Sequence, residues 1–324
     1  MKAVDGGERG IALIVVLLVI IIIVAVTVQL NYGTRSDVYE AANFSDGIRL
    51  TYIAKSGFNY GIAWLLVDKT VQDTLTDEWA DPHRISDKSE ELFSGGGFEV
   101  VIEDESGKIP INKLVQGNTV NQFIRDMMIR LLKEPPIALD PKQAEDIVDA
   151  MKDWMDADGD VTGGGAENTY YHSLTVPYDV KNGPLDSLEE LLMIKGVTEQ
   201  IYYGTEESPG LRRLLTIYSD GKININTAPR RVLRVLAPEI TDEMVEHMDA
   251  VRRERDRDLS SPQWYRQVSG MAAVDINSLF ITASSDYFRI TATGYLGRMR
   301  ESLTGVVKRD IAKKTVKLIS WRTQ

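Results

Sequence analysis

Eighteen consecutive residues, Ile11 to Val28, are apolar except for Thr27, and no charge falls between Arg9 and Arg35. At ~1.5 Å per residue the run spans ~27 Å as a helix, close to the ~30 Å core of a bilayer. Extended to Tyr32, the pattern predicts a membrane-spanning helix over 11–32. A cleaved secretory signal would have an apolar core of roughly 7–15 residues ending in an A-x-A-like site, and neither feature is present. Beyond Gly33 the chain shows no stop. Val38, Ala41, Ala42, Ile48, Tyr52, Ile53, Tyr60, Ala63 and Leu66 recur at helical spacing. One helix over 11–68 is expected, apolar all round in its first half and amphipathic in its second. Gly33, Gly47, Gly57 and Gly61 are positions where it can bend.

The period then changes. Residues 98–104 alternate as a strand and lead to a turn at Glu105-Ser106-Gly107. The phrase G-K-I-x-I-N occurs at 107–112 and again at 221–226, and both copies read as strands of one sheet leading outward into helices. Between them, Asn118 or Thr119 is the expected cap of a helix buried through Val120, Phe123, Ile124, Met127 and Leu131 and ended by Pro135-Pro136. Asp140 caps a second helix with Pro141 at its first position, burying Ala144, Ile147, Val148 and Met151. Ser187 and Glu190 form a capping-box pattern. Two more helices are expected over 229–236 and 241–255, then a three-stranded meander over 287–295, 298–308 and 314–321. Residues 70–97 read as a loop-rich connector. The order is α+β with inserted helices.

Composition narrows the chemistry. Lys and Arg number 37 against 48 Asp and Glu, a net charge of -11, which disfavours sequence-independent nucleic-acid binding. The absence of Cys removes disulfides, thiolate nucleophiles and Cys-type metal sites. His83, His172 and His247 are far apart, and no nucleophile-elbow, phosphate-loop or dinucleotide motif occurs, so no enzyme is expected. Gly163-Gly164-Gly165 lacks a Lys and reads as flexible backbone. The five Trp residues read as packing anchors.

The acidic stretch Asp153–Asp160 is the candidate metal site. Asp156, Asp158, Asp160 and Glu167 fall at positions one, three, five and twelve of an EF-like loop, although Val161 stands where that loop needs Gly. Carboxylates converging with no Lys or Arg among them repel unless a cation joins them, which points to Ca²⁺. A rival reading is a membrane-anchored DNA-binding or uptake protein. Ile223–Pro229 with the two short helices after it resembles helix-hairpin-helix modules, which hold phosphate on backbone N–H groups of a Gly-rich hairpin. Here the turn is Ala237-Pro238-Glu239-Ile240, without G-x-G, and Arg252, Arg253, Arg255 and Arg257 alternate with acids as on a solvated helix face.

Glu8-Arg9-Gly10, the apolar span and its amphipathic extension resemble the type IV pilin and type II secretion pseudopilin class. That resemblance implies cleavage by a prepilin peptidase between Gly10 and Ile11 and N-methylation of Ile11. The class carries Glu as the fifth mature residue, and this chain has Val15 there. Loss of that Glu is similar to the type II secretion system protein K family. Four phrases run in that family's order: Glu105–Ile109, Asp153–Asp158, Asn182–Ser187 and Lys222–Pro229.

The resemblance implies a pilin-like antiparallel sheet with a large inserted α-helical domain of the helix-hairpin-helix/SAM-like kind. It divides the chain into a leader (1–10), the N-terminal helix (11–68), a first pilin-like part (69–114), the insertion (115–213), and a second pilin-like part (214–324) that includes a helical segment (228–280). It also implies a non-enzymatic minor pseudopilin in the inner membrane, N-terminus cytoplasmic and folded part periplasmic. Such a subunit caps the tip of a short pseudopilus with I- and J-type minor pseudopilins, above the major pseudopilin. No nucleic-acid partner is expected, and the resemblance adds support for Ca²⁺.

Overall fold

The computed structural model describes residues 7–87, 89–205, 208–254 and 257–323; most of the expected leader (1–6) lies outside them. Helix α1, Gly7–Val67, is continuous for 61 residues. Its side chains from Ile11 to Arg35 are exposed, so the apolar run has no partner among the described residues. The second half lies on the sheet through Ile53, Ala54, Phe58 and Leu65.

The glycines play a different part from the one expected of them. A Cβ on Gly57 would lie 2.8 Å from Phe98 Cγ, and one on Gly61 would lie 2.9 Å from Ile290 Cγ2. Both let the helix backbone approach the sheet. Gly33 and Gly47 have open space around them.

The connector at 70–97 is more helical than it reads. Asp81 accepts from His83 N and caps the short helix α2, Pro82–Ser86, and α3 follows at Ser89–Leu92. Strand β1 (Gly96–Asp104) then joins β2 (Tyr287–Leu296), β3 (Met299–Asp310) and β4 (Thr315–Thr323) in one antiparallel sheet of that order. Ile102 faces Ile290, and Phe288 faces Val307. Alternate side chains (Val100, Ile290, Ala292, Leu303) bury against α1, as period-two burial requires. The three C-terminal strands match the expected meander.

Contacts advance along α1 in one direction. Thr51 Oγ1 meets Glu301 Oε2 at 2.8 Å, then Ala54 meets Gly294, then Gly61 meets Val100 and Ile290. The Asp104/Tyr287 end of the sheet is therefore remote from the spanning segment.

At that remote end the helical mass is attached. Glu105 N donates to Tyr287 O at 2.9 Å and Asn224 N to Ser106 O at 2.8 Å. The two G-K-I-x-I-N copies do not share a sheet. Ile109–Pro110 pairs parallel with Leu215–Thr216, and Ile223–Asn224 pairs parallel with Ile281–Thr282. Their asparagines act as joints: Asn224 Nδ2 donates to Asp73 O and Ser285 Oγ, and Asn226 accepts from Trp264 Nε1 at 2.7 Å.

Helix α4 (Gln122–Lys133) begins later than expected, capped by Asn121, whose Oδ1 accepts from Phe123 N and Ile124 N. The reason is Gly117, whose φ of 62° turns a small hairpin through Asn118 and Thr119 first. Helix α5 (Pro141–Met155) has its Asp140 cap and Pro141 start as expected. One apolar core holds these helices together with Val232, Leu233, Val245, Met248 and Trp264. The segment 228–280 thus packs with the insertion and not with the sheet.

Candidate metal centre

Helix α5 presents Asp146, Asp149 and Asp153 at successive turns of one face and ends at Asp156. The glycine run that follows is a close-fitting wrap over these carboxylates, not slack backbone. A Cβ on Gly163 would lie 2.2 Å from Asp149 Oδ2, one on Gly164 1.7 Å from Asp146 Oδ1, and one on Gly165 2.0 Å from Asp153 Oδ2. Thr162 N donates to both Asp153 oxygens at 3.1 and 3.2 Å, and Gly164 N to Asp149 at 3.3 Å. Lys195 Nζ fastens the loop by donating to the carbonyls of Gly164 and Gly165, each at 3.0 Å.

This wrap turns the chain so that carboxylate oxygens of Asp156, Asp158 and Glu167 come within 4.8 Å of one another. Asp160 is exposed and stands outside that group; its N–H donates to Asp158 Oδ1 at 3.0 Å. Asp156 and Glu167 are buried, and Asp156 Oδ1 and both Glu167 oxygens have no hydrogen-bond partner among the described residues. Burial first, then the charges of Asp153, Asp156 and Asp158, push the Glu167 carboxyl up to about 7. Burial likewise raises Asp153 and Asp156.

The expectation that no cation stands among these acids is corrected. Lys152 Nζ bonds Asp156 Oδ2, donates to Thr162 Oγ1 at 2.6 Å and lies 3.5 Å from Asp153 Oδ1. It sits one turn before Asp156, an i,i+4 signal visible in the sequence. One ammonium against four carboxylates leaves the orphaned oxygens unsatisfied. An all-oxygen, anionic set with unpartnered buried atoms fits a hard cation of the Ca²⁺ kind. Asp156, Asp158 and Glu167 would hold it, with Asp153, which belongs to the acidic stretch but not to the EF-like ligand positions, as their neighbour.

A second carboxylate group, Asp68, Asp73 and Asp77, is already closed. Arg309 donates to both Asp73 oxygens at 2.6 Å and to Asp68 at 2.9 Å, and Asp77 accepts from Thr74 and Trp79. Burial still pushes Asp73 up to about 7, with Arg309 pulling the other way.

The elements of the DNA reading have other uses. The described part of the arginine run is not a uniformly solvated face. Arg252 is buried, bonds Asp249 at 2.6 Å and donates to the carbonyl of Ala228 at 2.6 Å. Arg255 and Asp256 lie outside the described residues. The Ala237–Ile240 turn buries Ala237 and Ile240, and Lys195 is engaged with the glycine wrap.

At the other end of the molecule, Gly10 and Ile11 lie within α1, and Val15 is 55% exposed among apolar neighbours.

Comparison with known proteins agrees with this architecture. Residues 107–207 match the family model of Type II secretion system (T2SS), protein K. The type II secretion system protein K of Pseudomonas aeruginosa is 27% identical over 317 residues, covering 94% of this chain and 89% of that one. The putative type II secretion system protein K of Escherichia coli K12 is 24% identical over 200 residues, and the match spans 60% of each. In three dimensions the chain is similar to one in the crystal structure of the GspK-GspI-GspJ complex of the enterotoxigenic Escherichia coli Type 2 Secretion System. The TM-score is 0.66 at 16% identity, with 88% of this chain and 98% of that one covered. The sequence matches and the shared fold support a minor pseudopilin of type II secretion. In sequence and in fold the chain is similar to type II secretion system protein K.

Proposed function

We propose that the protein caps the tip of a periplasmic pseudopilus and helps start its assembly, joined there by the I- and J-type minor pseudopilins. The observation that carries this reading is where the mass lies. The helical core is attached at the end of the sheet remote from the spanning helix, so a copy stacked overhead would meet it.

Val15 supports the same reading. A carboxylate in hydrocarbon is costly unless paired, and in pilin-like assembly the Glu at this position pairs with the N-terminal amine of the subunit above. Val15 makes no such pair and needs none. Once the leader is cut between Gly10 and Ile11, the amine of Ile11 is free to accept the Glu of the next subunit below. The subunit is then first in the fibre, anchored in the inner membrane with its N-terminus cytoplasmic and its folded part periplasmic.

In this reading Ca²⁺ at Asp156, Asp158 and Glu167, with Asp160 as an outer ligand, fixes the loop that closes over α5. Its contribution is structural: it supplies positive charge where four carboxylates meet, and the chain's own Lys152 and Thr162 set the loop's course. The test is cysteine crosslinking of assembled pseudopili. The expected product is one copy of this subunit per fibre, joined to other minor pseudopilins. Repeated copies along the shaft, at the abundance of the major pseudopilin, overturn the reading.

A further inference from the structure

The two edges of the four-stranded sheet are finished differently. On β1 three successive outward N–H groups are taken: Gly96 by Phe93 O at 3.4 Å, Phe98 by Ser89 Oγ at 3.1 Å, and Val100 by Ser86 Oγ at 3.0 Å. That edge is closed by the short helices α2 and α3.

On β4 the outward groups follow from the ladder. Arg309 N donates to Asp286 O, toward β2, so the flanking residues of β3, Lys308 and Asp310, turn toward β4. Their partners Lys317 and Thr315 turn inward, which points the N–H and C=O of Val316 and Leu318 out of the sheet. Among the described residues nothing bonds them. Val316 packs against the core under the sheet, but the apolar side chains beyond it are exposed: Leu318 44%, Ile319 41% and Trp321 51%.

An open apolar edge invites any strand, and natural proteins blunt such edges with lysines. This edge carries cations, but their balance is selective. Residues 311–323 hold Lys313, Lys314, Lys317 and Arg322 and no carboxylate, in a chain of net charge -11. Lys313 is paired with Asp310, and Arg322 lies 3.6 Å from Glu189. Lys314 and Lys317 have no ion-pair partner among the described residues. A second copy of β4 would bring lysine against lysine. A bilayer is out of reach as well. Lys55, whose ammonium lies 5.7 Å from the Trp321 ring, is ~35 Å along α1 from Tyr32 at ~1.5 Å per residue.

We propose that β4 is a docking edge, and that it takes up an extended, carboxylate-bearing segment of another protein as a fifth strand. Backbone bonds to Val316 and Leu318 supply the pairing, Leu318 and Trp321 supply apolar contact, and Lys314 and Lys317 select for acid. The inference rests on this edge alone and stands or falls apart from the tip reading.

The test uses the full chain in detergent micelles and two labelled eight-residue peptides, one alternating Glu with Val and Thr, the other with Lys in place of each Glu. Anisotropy should show saturable binding of the acidic peptide and binding at least about tenfold weaker for the lysine peptide. Leu318→Pro removes an outward N–H that no described group uses, and it should weaken acidic-peptide binding at least about tenfold with circular dichroism unchanged. Lys317→Glu should weaken it severalfold.

Should Leu318→Pro fail to fold, the acidic peptide is N-methylated at its odd or its even residues. Loss of binding with one of the two supports strand addition, and no loss with either overturns it. Equal binding of both unmodified peptides, binding insensitive to Leu318→Pro, or no saturation by about 1 mM also overturns the proposal, since that limit corresponds to only ~4 kcal/mol. Self-association of the chain that Leu318→Pro abolishes would assign the edge to a second copy instead, and overturn it too.

Discussion

Two groups of three carboxylates lie among the described residues, and they are resolved in opposite ways. At the end of α1, Asp68 and Asp73 pair with Arg309, a side chain 2% exposed and delivered by β3 from more than two hundred residues away, while Asp77 accepts from Thr74 and Trp79. Asp156, Asp158 and Glu167, at the end of α5, are local in sequence; Asp158 accepts from Asn118 and from the N–H of Asp160, Lys152 is the one cation paired with the group among the described residues, and three buried oxygens are left there without hydrogen-bond partners. The first group is closed by tertiary structure and serves to tie the connector to the sheet. The second is left incomplete by the described residues, which is the observation behind the proposal of Ca²⁺ there. Proximity of acids is common to both. The orphaned oxygens separate them.

The largest effect should come from opening the closed group. Arg309→Met leaves Asp73 buried without its guanidinium, and removing one partner of a buried pair costs about 3–5 kcal/mol. Urea unfolding of the full chain in micelles measures this, and a loss under ~1 kcal/mol would mean that Arg309 is not the keystone of that joint. Added Ca²⁺ should not restore the variant.

The incomplete group should respond to Ca²⁺ itself. A ligand that binds only the folded chain at a hundred times its Kd stabilises by about 2.7 kcal/mol. Ca²⁺ should therefore raise the melting temperature of the full chain, chelator should reverse it, and Asp158→Asn should abolish the rise. An unchanged melting temperature in both proteins returns the loop to a solvated acidic turn.

Asp249 sharpens the contrast from a third side. Burial raises its pKa, but hydrogen bonds from Arg230, Arg252 and Arg253 outweigh that and pull it to about 2. Its stabilising contribution is present above the unfolded value near 3.8 and is lost as pH falls through the folded value. Acid titration of the unfolding free energy should show a drop between about pH 4 and 2 that Asp249→Asn removes. The smallest effect is expected from Lys152→Met. It withdraws the one internal cation from the incomplete group, and should lower stability in chelator while increasing the Ca²⁺-induced rise in melting temperature.

Much of the architecture was legible along the chain because it depends on near neighbours. The apolar run of α1, the Asp140–Pro141 start of α5, the Ser187/Glu190 capping box and the three C-terminal strands are set by spacing and capping within a few residues. The reading slipped where distant partners decide. Gly57 and Gly61 resemble helix weak points until Phe98 and Ile290 are set against them. Arg252 looks solvated beside its charged neighbours, yet the carbonyls of residues 225–228 draw it inside. Asn118 was a plausible cap, but Gly117 turned the chain before the helix could start.

The candidate site divides in the same way. Loop spacing groups Asp156, Asp158 and Glu167, and the structure brings their carboxylates together, because a turn is a local object. Asp160, in the same series, was left outside because convergence depends on how the loop turns. That turn is fixed by contacts of Gly163, Gly164 and Gly165 with the acids of α5, which spacing alone does not report.

By itself the sequence determined the long apolar helix, the valine at position 15, the acidic loop and the order of helices and strands. These depend on hydrophobic length, residue identity and local hydrogen bonding. Tertiary structure alone decided that the two G-K-I-x-I-N copies serve separate strand pairs, that one acidic group is closed by Arg309 while the other is left open, and that β1 is sealed while β4 is bare. Each of these turns on which buried polar group finds a partner from a distant part of the chain, and a polar group's need for a partner does not say which residue will meet it.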